Sequence, residues 1–548
     1  MDRHRRYDFW FISRIAIFIL FALFLIYPFI TLFSKSFINN EGKFTLEFFG
    51  NFFKYEYYYR TLLRSLIVSS ITTVLAIIIG VPLAYAFTRY KIFGAKAINV
   101  MIIMSLMSPP FIGAYSWIML LGRNGSITKF FHNIGIEFPS IYGFLGIILV
   151  FTLKLYPYVF LYVAGSLNSI DSSLEEAGEN LGASKIKRLL TVTFPVIKPT
   201  IAAGAIMVFM SSLADFGTPM LIGEGYKVLP VLVYEEYMSE TGGNAGMASA
   251  LSIIIVICSL AVLLVQKFII NRKSYTMSAL RPPKKKELKF QYKVLLSLLL
   301  FAFAFITFLP QIVVIITSFI NTNGPVFVNG FGFESYKAIF FRLGGNITNT
   351  FVFSSIAIVI IILISILVAF LITKRRSKSS IFMDILVMFP YVIPGAVLGI
   401  SLLLTYNKGP LLIAGTPLIM IIAYVIRKMP YTVRSSSAIL QQIDSSVEEA
   451  SISLGESPMK SFFKVTARIM IPGIVSGAIL SWISTINELS SSIMLYTGKT
   501  ATISVAIYTE VVRASFGTAA ALASILTVAT LLSFVIFNII SKGKVSVV

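Results

Sequence analysis

Charge is scarce in this chain of 548 residues. Only 13% of them are Asp, Glu, Lys or Arg, against about 25% in ordinary soluble domains. Hydrophobic residues make up 57%, and the mean hydropathy is +0.85. A soluble fold this apolar could not cover its own surface, which excludes a soluble enzyme and a disordered chain. Cysteine is nearly absent. Cys258 stands alone, so no internal disulfide can form and a disulfide scaffold is excluded. The two histidines, His4 and His132, lie far apart in the sequence, which leaves no His-based metal site. The phosphate-cradling pattern G-x-x-x-x-G-K-[ST] is also missing. With no clustered nucleophile and base either, the chain reads as a non-enzyme with no cofactor or metal of its own.

What is present is long apolar runs. About twenty apolar residues cross a bilayer as a helix, and twelve candidates occur. In the first half they lie at 12–33, 61–88, 97–121, 141–164, 200–222 and 248–270. In the second half they lie at 292–319, 349–372, 381–405, 410–429, 473–495 and 518–540. The first follows a basic start, as a signal peptide would, but its apolar run is too long and no small-residue cleavage site follows Phe33. It is expected to be a retained helix.

The formal charge of +22 would suit nucleic acid, and its placement decides otherwise. Twelve spans put both termini on one side. With that side cytoplasmic, 29 of the 46 basic residues fall in inner loops and 13 in outer loops. The excess follows the positive-inside rule, and no nucleic-acid partner is expected. The densest basic run, Arg281 to Lys286, reads as a topology anchor near anionic lipid.

The chain is also a tandem duplication. Residues 171–199 and 444–472 align without gaps at an offset of 273, with 13 identities in 29 positions. In the same register Tyr156-Pro157 matches Met429-Pro430, and Asp215 matches Glu488. Upstream the offset becomes 285, so Arg89 matches Lys374 and Pro109 matches Pro394. The expected fold is an all-α polytopic membrane protein with about twelve transmembrane helices in two tandem, same-orientation six-helix repeats. The first repeat is 1–270, a basic cytoplasmic linker spans 271–291, and the second repeat is 292–548. A pathway is expected between them, on a pseudo-twofold axis along the membrane normal.

The most informative repeated segment is polar. Ser172 and Glu175 have capping-box spacing, as do Ser445 and Glu448. Leu174, Ala177 and Leu181 then share one helix face, and Gly182 ends the helix. A second helix is expected from Ser184 to Phe194, stopped by Pro195. Val447, Ala450, Leu454 and Gly455 repeat the arrangement. Acidic residues at the start argue against a helix that merely lies on an anionic leaflet. A docking helix for a cytoplasmic partner is preferred.

Here the pattern resembles a known family. Glu176-Ala177-Gly178, then Gly182, then Val192-Thr193-Phe194-Pro195 is similar to the E-A-A loop of ABC importer permeases. Glu449-Ala450-Ser451, Gly455 and Val465-Thr466-Ala467-Arg468 repeat it, without the final Leu-Pro. The resemblance covers nearly the whole chain as two fused permease domains of the type I importer kind. It implies a bacterial plasma (inner) membrane protein that docks a dimer of cytoplasmic ATP-binding cassette subunits, which hold the ATP. An extracytoplasmic substrate-binding protein would deliver the substrate. Glu175, Glu176, Ala177, Gly182, Glu448, Glu449, Ala450 and Gly455 would be the ATPase-coupling residues. The fused form and the string Leu213 to Pro219 look most like ferric-iron uptake permeases. Importers of aminoethylphosphonate, sugar phosphate, thiamine or polyamine are similar. The rival class is an ion-coupled secondary transporter, which would not explain two acidic loop helices.

Several groups are candidates for the translocation pathway. Asp215 and Glu488 are carboxylates at membrane depth, which are costly and usually functional. Gating or helix capping is favoured for them over ligation of a hard cation. Lys154 and Arg427 would snorkel to the surface or meet an anionic substrate. Pro109, Pro110 and Pro394 interrupt corresponding spans, as at a transport path or a packing kink. The aromatic-rich loop 34–60, with 223–247, would receive a binding protein or form an interfacial belt.

Overall fold

The computed structural model describes residues 9–39, 41–109, 111–137, 139–239, 243–271, 283, 285–323, 326–444 and 446–540. Pro110, Ser445 and most of the basic segment 271–291 therefore lie outside the described residues.

The first half contributes α1 (Phe9–Ser36), α2 (Glu56–Arg89), α3 (Ala95–Leu106), α4 (Ile112–Leu121) and α5 (Phe144–Asn168). It continues with α6 (Ser172–Asn180), α7 (Lys185–Ala214), α8 (Gly217–Ile222), α9 (Leu229–Met238) and α10 (Ala245–Asn271). The second half begins with α11 (Phe290–Ser318), the antiparallel strands β1 (Ile320–Asn323) and β2 (Val326–Phe331), and α12 (Glu334–Arg342). Then come α13 (Gly344–Thr373), α14 (Lys378–Val392), α15 (Gly395–Tyr406), α16 (Pro417–Gln442) and α17 (Ser446–Ser453). The last elements are α18 (Pro458–Ile486), α19 (Ser492–Leu495), α20 (Ile503–Val512) and α21 (Phe516–Ile540).

Among the described residues, nine helices are long and apolar enough to cross a bilayer, or ten if the bent pair α14–α15 is one span. The remaining expected segments differ in kind. The run at 97–121 divides into α3 and α4, and the run at 381–405 bends by 107° between α14 and α15. The segment expected at 410–429 is displaced. Gly415 turns the chain with φ +76°, and the helix begins only at Pro417, in the first turn, where a missing N–H costs nothing. It then runs to Gln442 and carries Arg427, Lys428 and Arg434, so it is less apolar than its equivalent α5. Outward faces of the long helices, such as Val74, Ile78, Val359 and Leu363, are exposed and apolar, as lipid contact requires.

The chain divides into two compact units, and each takes the first span of the other sequence half. One unit holds residues 52–232 and 254–317. Its centre is α2, α5 and α7 around Tyr156, Val159 and Phe160. Here α11 is held by polar contacts: Ser116 Oγ donates to the Pro310 carbonyl at 2.8 Å, and Gln311 Nε2 to the Met104 carbonyl at 3.2 Å. The other unit holds residues 1–51, 233–253 and 318–545. Its centre is α13, α16 and α18. Here Trp10 of α1 stacks on Phe370 at 4.3 Å, and Tyr406 donates to the Leu23 carbonyl at 2.6 Å.

Glycine permits a close helix crossing at the same place in both units. Without water to drive association, membrane helices rely on small residues that let backbones approach. A Cβ on Gly204 of α7 would meet the Val159 Cα of α5 at 3.0 Å, and one on Gly477 of α18 would meet the Thr432 Cα of α16 at 2.6 Å. Both residues of each contact are related by the offset of 273. Gly477→Val is expected to lower the thermal midpoint in detergent, at a cost of about 1–3 kcal/mol for overpacking. Gly204→Val costs less, because its neighbour is farther away. An unchanged midpoint for Gly477→Val would contradict the packing.

Candidate functional site

The duplicated loop is built the same way twice. Its helix is started by aspartate rather than by the serine expected from sequence. Asp171 accepts the Ser173 N–H at 2.9 Å, and Asp444 accepts the Ser446 N–H at 2.8 Å. A carboxylate both satisfies an orphan donor and meets the positive helix end. The helix ends in a paired hydrogen-bond motif at glycine. Gly182 (φ +76°) donates to the Glu179 carbonyl and Ala183 to that of Gly178. Gly455 (φ +95°) donates to the Ile452 carbonyl and Glu456 to that of Ser451. Only glycine takes this left-handed conformation without strain.

The next segment differs from expectation. The helix starting after Ser184 is not stopped at Pro195 but runs on to Ala214. A π-helical turn at Leu189–Thr193 precedes the proline, and Pro195 falls at the start of the following α-helical stretch. A wider turn changes the bonding pattern where the proline has no N–H to give. The second copy has the same turn at Phe462–Thr466, although Arg468 replaces the proline. The exits from the two loops are therefore alike, and the proline is not the cause of the turn.

The loop presents a mixed surface. Glu176, Ala177, Glu449 and Ala450 are exposed. Leu181 and Leu454, the residues just before the turn glycines, are 88% and 87% exposed. Two equivalent leucines are thus held in the open beside the turn. Glu175 instead points inward. Its carboxylate takes the buried Arg89 guanidinium at 2.5 Å and the Thr193 hydroxyl at 3.2 Å. Glu179 is paired with Arg188, whose hydrogen bond holds the carboxyl below the usual range. The Ser446 backbone N–H does the same for Asp444, and Lys464 for Glu456. These lowered values stabilise the loops above the ordinary carboxylate range. That contribution is lost as pH falls through each lowered value.

The candidate pathway residues turn out to be partners. Lys154 Nζ lies 3.0 Å from the Asp215 carboxylate. In the second copy Arg427 lies 2.8 Å from Glu488. The two pairs occupy equivalent positions, and each spans 61 residues of chain. Lys154 and Arg427 therefore do not snorkel away from their carboxylates. Each acid also accepts from the start of the next short helix: Asp215 from the Thr218 N–H at 2.9 Å, Glu488 from the Ser491 N–H at 3.0 Å.

The second pair holds one more charge. Lys428 reaches the other oxygen of Glu488 at 2.5 Å and is itself buried. The first copy has Leu155 at that position. Sequence reading missed Lys428, because a charge beside another charge in a helix looks like surface.

The broken span meets this pair. Pro394 is buried and precedes α15, where its carbonyl accepts the Val397 N–H at 3.1 Å. The next residue, Gly395, has no room for a side chain, since a Cβ there would collide with the Arg427 guanidinium. In the first copy Pro109 is buried, and the break before α4 passes through Phe111 at φ +67°. A left-handed phenylalanine is uncommon and is held by its surroundings.

Removing Glu488 would leave the buried Lys428 beside the half-buried Arg427 with no counter-charge between them. Glu488→Gln should lower the thermal midpoint in detergent, with a loss of about 3–5 kcal/mol, as for other broken buried pairs. Lys428→Leu, which copies the first repeat, should cost less because Arg427 still neutralises the acid. The reverse order would contradict this arrangement.

The chain is similar to known proteins. A family model described as "binding-protein-dependent transport system inner membrane component" matches residues 73–275 and again 361–545. A ferric transport system permease protein of Actinobacillus pleuropneumoniae is 27% identical over 539 residues, covering 96% of this chain and 77% of that protein. A putative ferric transport system permease protein of Haemophilus influenzae is 26% identical over 503 residues, covering 89% and 78%. A spermidine/putrescine permease protein of the same organism is 27% identical but covers only 48% of this chain. A crystal structure of a bacterial ABC transporter that imports alginate superposes with a TM-score of 0.40 at 19% identity, covering 47% of this chain and 94% of that one. The chain belongs to the binding-protein-dependent transport system inner membrane component family, and is a multi-pass ABC importer permease carrying that domain twice.

Proposed function

We propose that this permease carries ferric iron inward, driven by a dimer of ATP-binding cassette subunits docked on α6 and α17. The observation that carries the coupling is the duplicated loop. Two helices with the same aspartate cap, the same left-handed glycine and the same exposed leucine suit two equal clefts of an ATPase dimer. Glu176 and Glu449 would meet basic groups there, while Leu181 and Leu454 would fill apolar ones. Both termini and both loops would then be cytoplasmic, in keeping with the basic inner loops. An extracytoplasmic binding protein would deliver the substrate to the outer loops. The ion pairs Lys154–Asp215 and Arg427–Glu488 would brace the broken spans as the halves alternate. Iron as the substrate is supported by the two ferric permeases, which match over most of the chain. The polyamine permease match covers about one repeat.

Two measurements test this. A photo-reactive side chain placed at Leu181 or Leu454 should attach to the co-expressed ATPase subunit, and one placed at Phe341 should not. No attachment from either leucine would contradict docking. In proteoliposomes with the binding protein and internal ATP, labelled ferric iron should accumulate. Glu176→Lys with Glu449→Lys should cut that uptake at least tenfold. Uptake of spermidine or a phosphonate in place of iron would overturn the substrate.

A further inference from the structure

The segment Lys285–Glu287, between the sequence halves, lies against the end of α2. The Lys286 N–H donates to the Arg89 carbonyl at 2.8 Å, and the Lys91 N–H donates to the Lys286 carbonyl at 3.1 Å. Together they pair Tyr90 with Lys286 as a short parallel bridge. Lys285 Nζ donates to the Phe87 carbonyl at 3.1 Å, and Lys91 pairs with Glu287 at 2.7 Å. The chain then enters α11, where Ser297 Oγ accepts the Phe93 N–H at 2.9 Å and Lys293 lies over the Phe93 ring at 4.3 Å.

The residue held by this strand is Arg89, the partner of Glu175 in α6. A continuous path of contacts therefore runs from the inter-half segment through Arg89 to the first coupling loop. The second loop is held differently. Lys374, the equivalent of Arg89, donates to the Ile443 carbonyl at 2.6 Å, ahead of the loop helix. Among the described residues, no strand pairs with the backbone around Lys374.

We propose that Arg89 is a positioning residue for the first coupling loop, and that the segment 285–287 is a strap that fixes it. Motion arriving at α6 is thereby passed into α2 through an ion pair whose arginine is buried, a stiffer link than a lone carbonyl contact. The surface ion pair Lys91–Glu287 adds little by itself. The backbone bonds to Arg89 and Lys91 do the holding. The two loops of the duplicated chain are then mechanically unequal. This relay rests on the reading of α6 as a docking helix; the strap does not.

The test uses the full chain with its ATPase and binding protein in lipid nanodiscs for amide exchange, and in proteoliposomes for transport. Lys286→Pro removes the N–H that the Arg89 carbonyl accepts, and Arg89→Gln removes the cation that pairs with Glu175. Each should speed amide hydrogen exchange across 172–182 at least tenfold and leave 446–455 unchanged. Each should also raise the ATP hydrolysed per substrate molecule imported at least threefold. Arg89→Lys should restore both readings in part. Unchanged exchange at 172–182, or an equal rise in both loops, would overturn the strap. Faster exchange with an unchanged ATP ratio would overturn the relay. Failure of the probe at Leu181 to reach the ATPase would instead remove the docking reading and leave the exchange result to judge the strap.

Discussion

A carboxylate with little access to water keeps a cation beside it, and in this protein one such pair, half-buried in the first copy and buried at its acid in the second, stands at matching positions in each repeat. Asp215 holds Lys154, and Glu488 holds Arg427 and Lys428. Each pair ties a long helix, α5 or α16, to the turn that follows α7 or α18. The acid also accepts an N–H at the start of the next short helix, which ties that turn to the same pair. In the second repeat the guanidinium fills the space beside Gly395, so the residue that opens α15 after the sharp bend packs against the same ion pair. Loss of the acid would disturb the cation, the short helix and the broken span together. Such coupled demands make a single buried pair worth more to shape than to net stability.

The duplication shows which features are needed and which are incidental. The aspartate caps, the turn glycines, the exposed leucines and the π-helical turns occur in both copies at the same offset. Pro195 occurs in one copy only, and the turn beside it persists without it. Leu155 and Lys428 mark a real asymmetry, since the second pair carries one extra positive charge in a buried place. The arrangement of first spans is shared as well. α1 and α11 each pack in the unit built mainly from the other sequence half.

Much of this was legible in the sequence. The apolar runs gave the membrane class, and the offset of 273 gave the repeat, because burial in lipid leaves few polar residues to confuse either signal. The helix and glycine of each loop followed from spacing alone. The start of the helix was misjudged by one residue, since serine and aspartate both cap and Asp171 precedes Ser172. The prolines marked an interruption within 97–121, but not that it divides the run into two short helices, and nothing marked the late start of α16. Both depend on turns at Phe111 and Gly415, where tertiary packing overrides hydropathy. The ion pairs were nearly visible. Cation and carboxylate keep opposite charge and equal spacing in both copies, a sign that they meet, yet each was read separately. Arg89 with Glu175 gave a weaker sign, because Lys374 and Glu448 keep the charges but not the spacing, the offset changing from 285 to 273 between them.

Charge reversal within the repeated pairs is the most direct measurement. Lys154→Asp, Asp215→Lys, Arg427→Glu and Glu488→Arg would each be made alone, and then as the two matched double reversals. The rate to follow is binding-protein-stimulated ATP turnover in the reconstituted complex. Each single reversal should abolish the stimulation, and each matched double reversal should recover a substantial part of it. Stimulation that survives the single reversals, or doubles no better than singles, would contradict the central place given to these pairs.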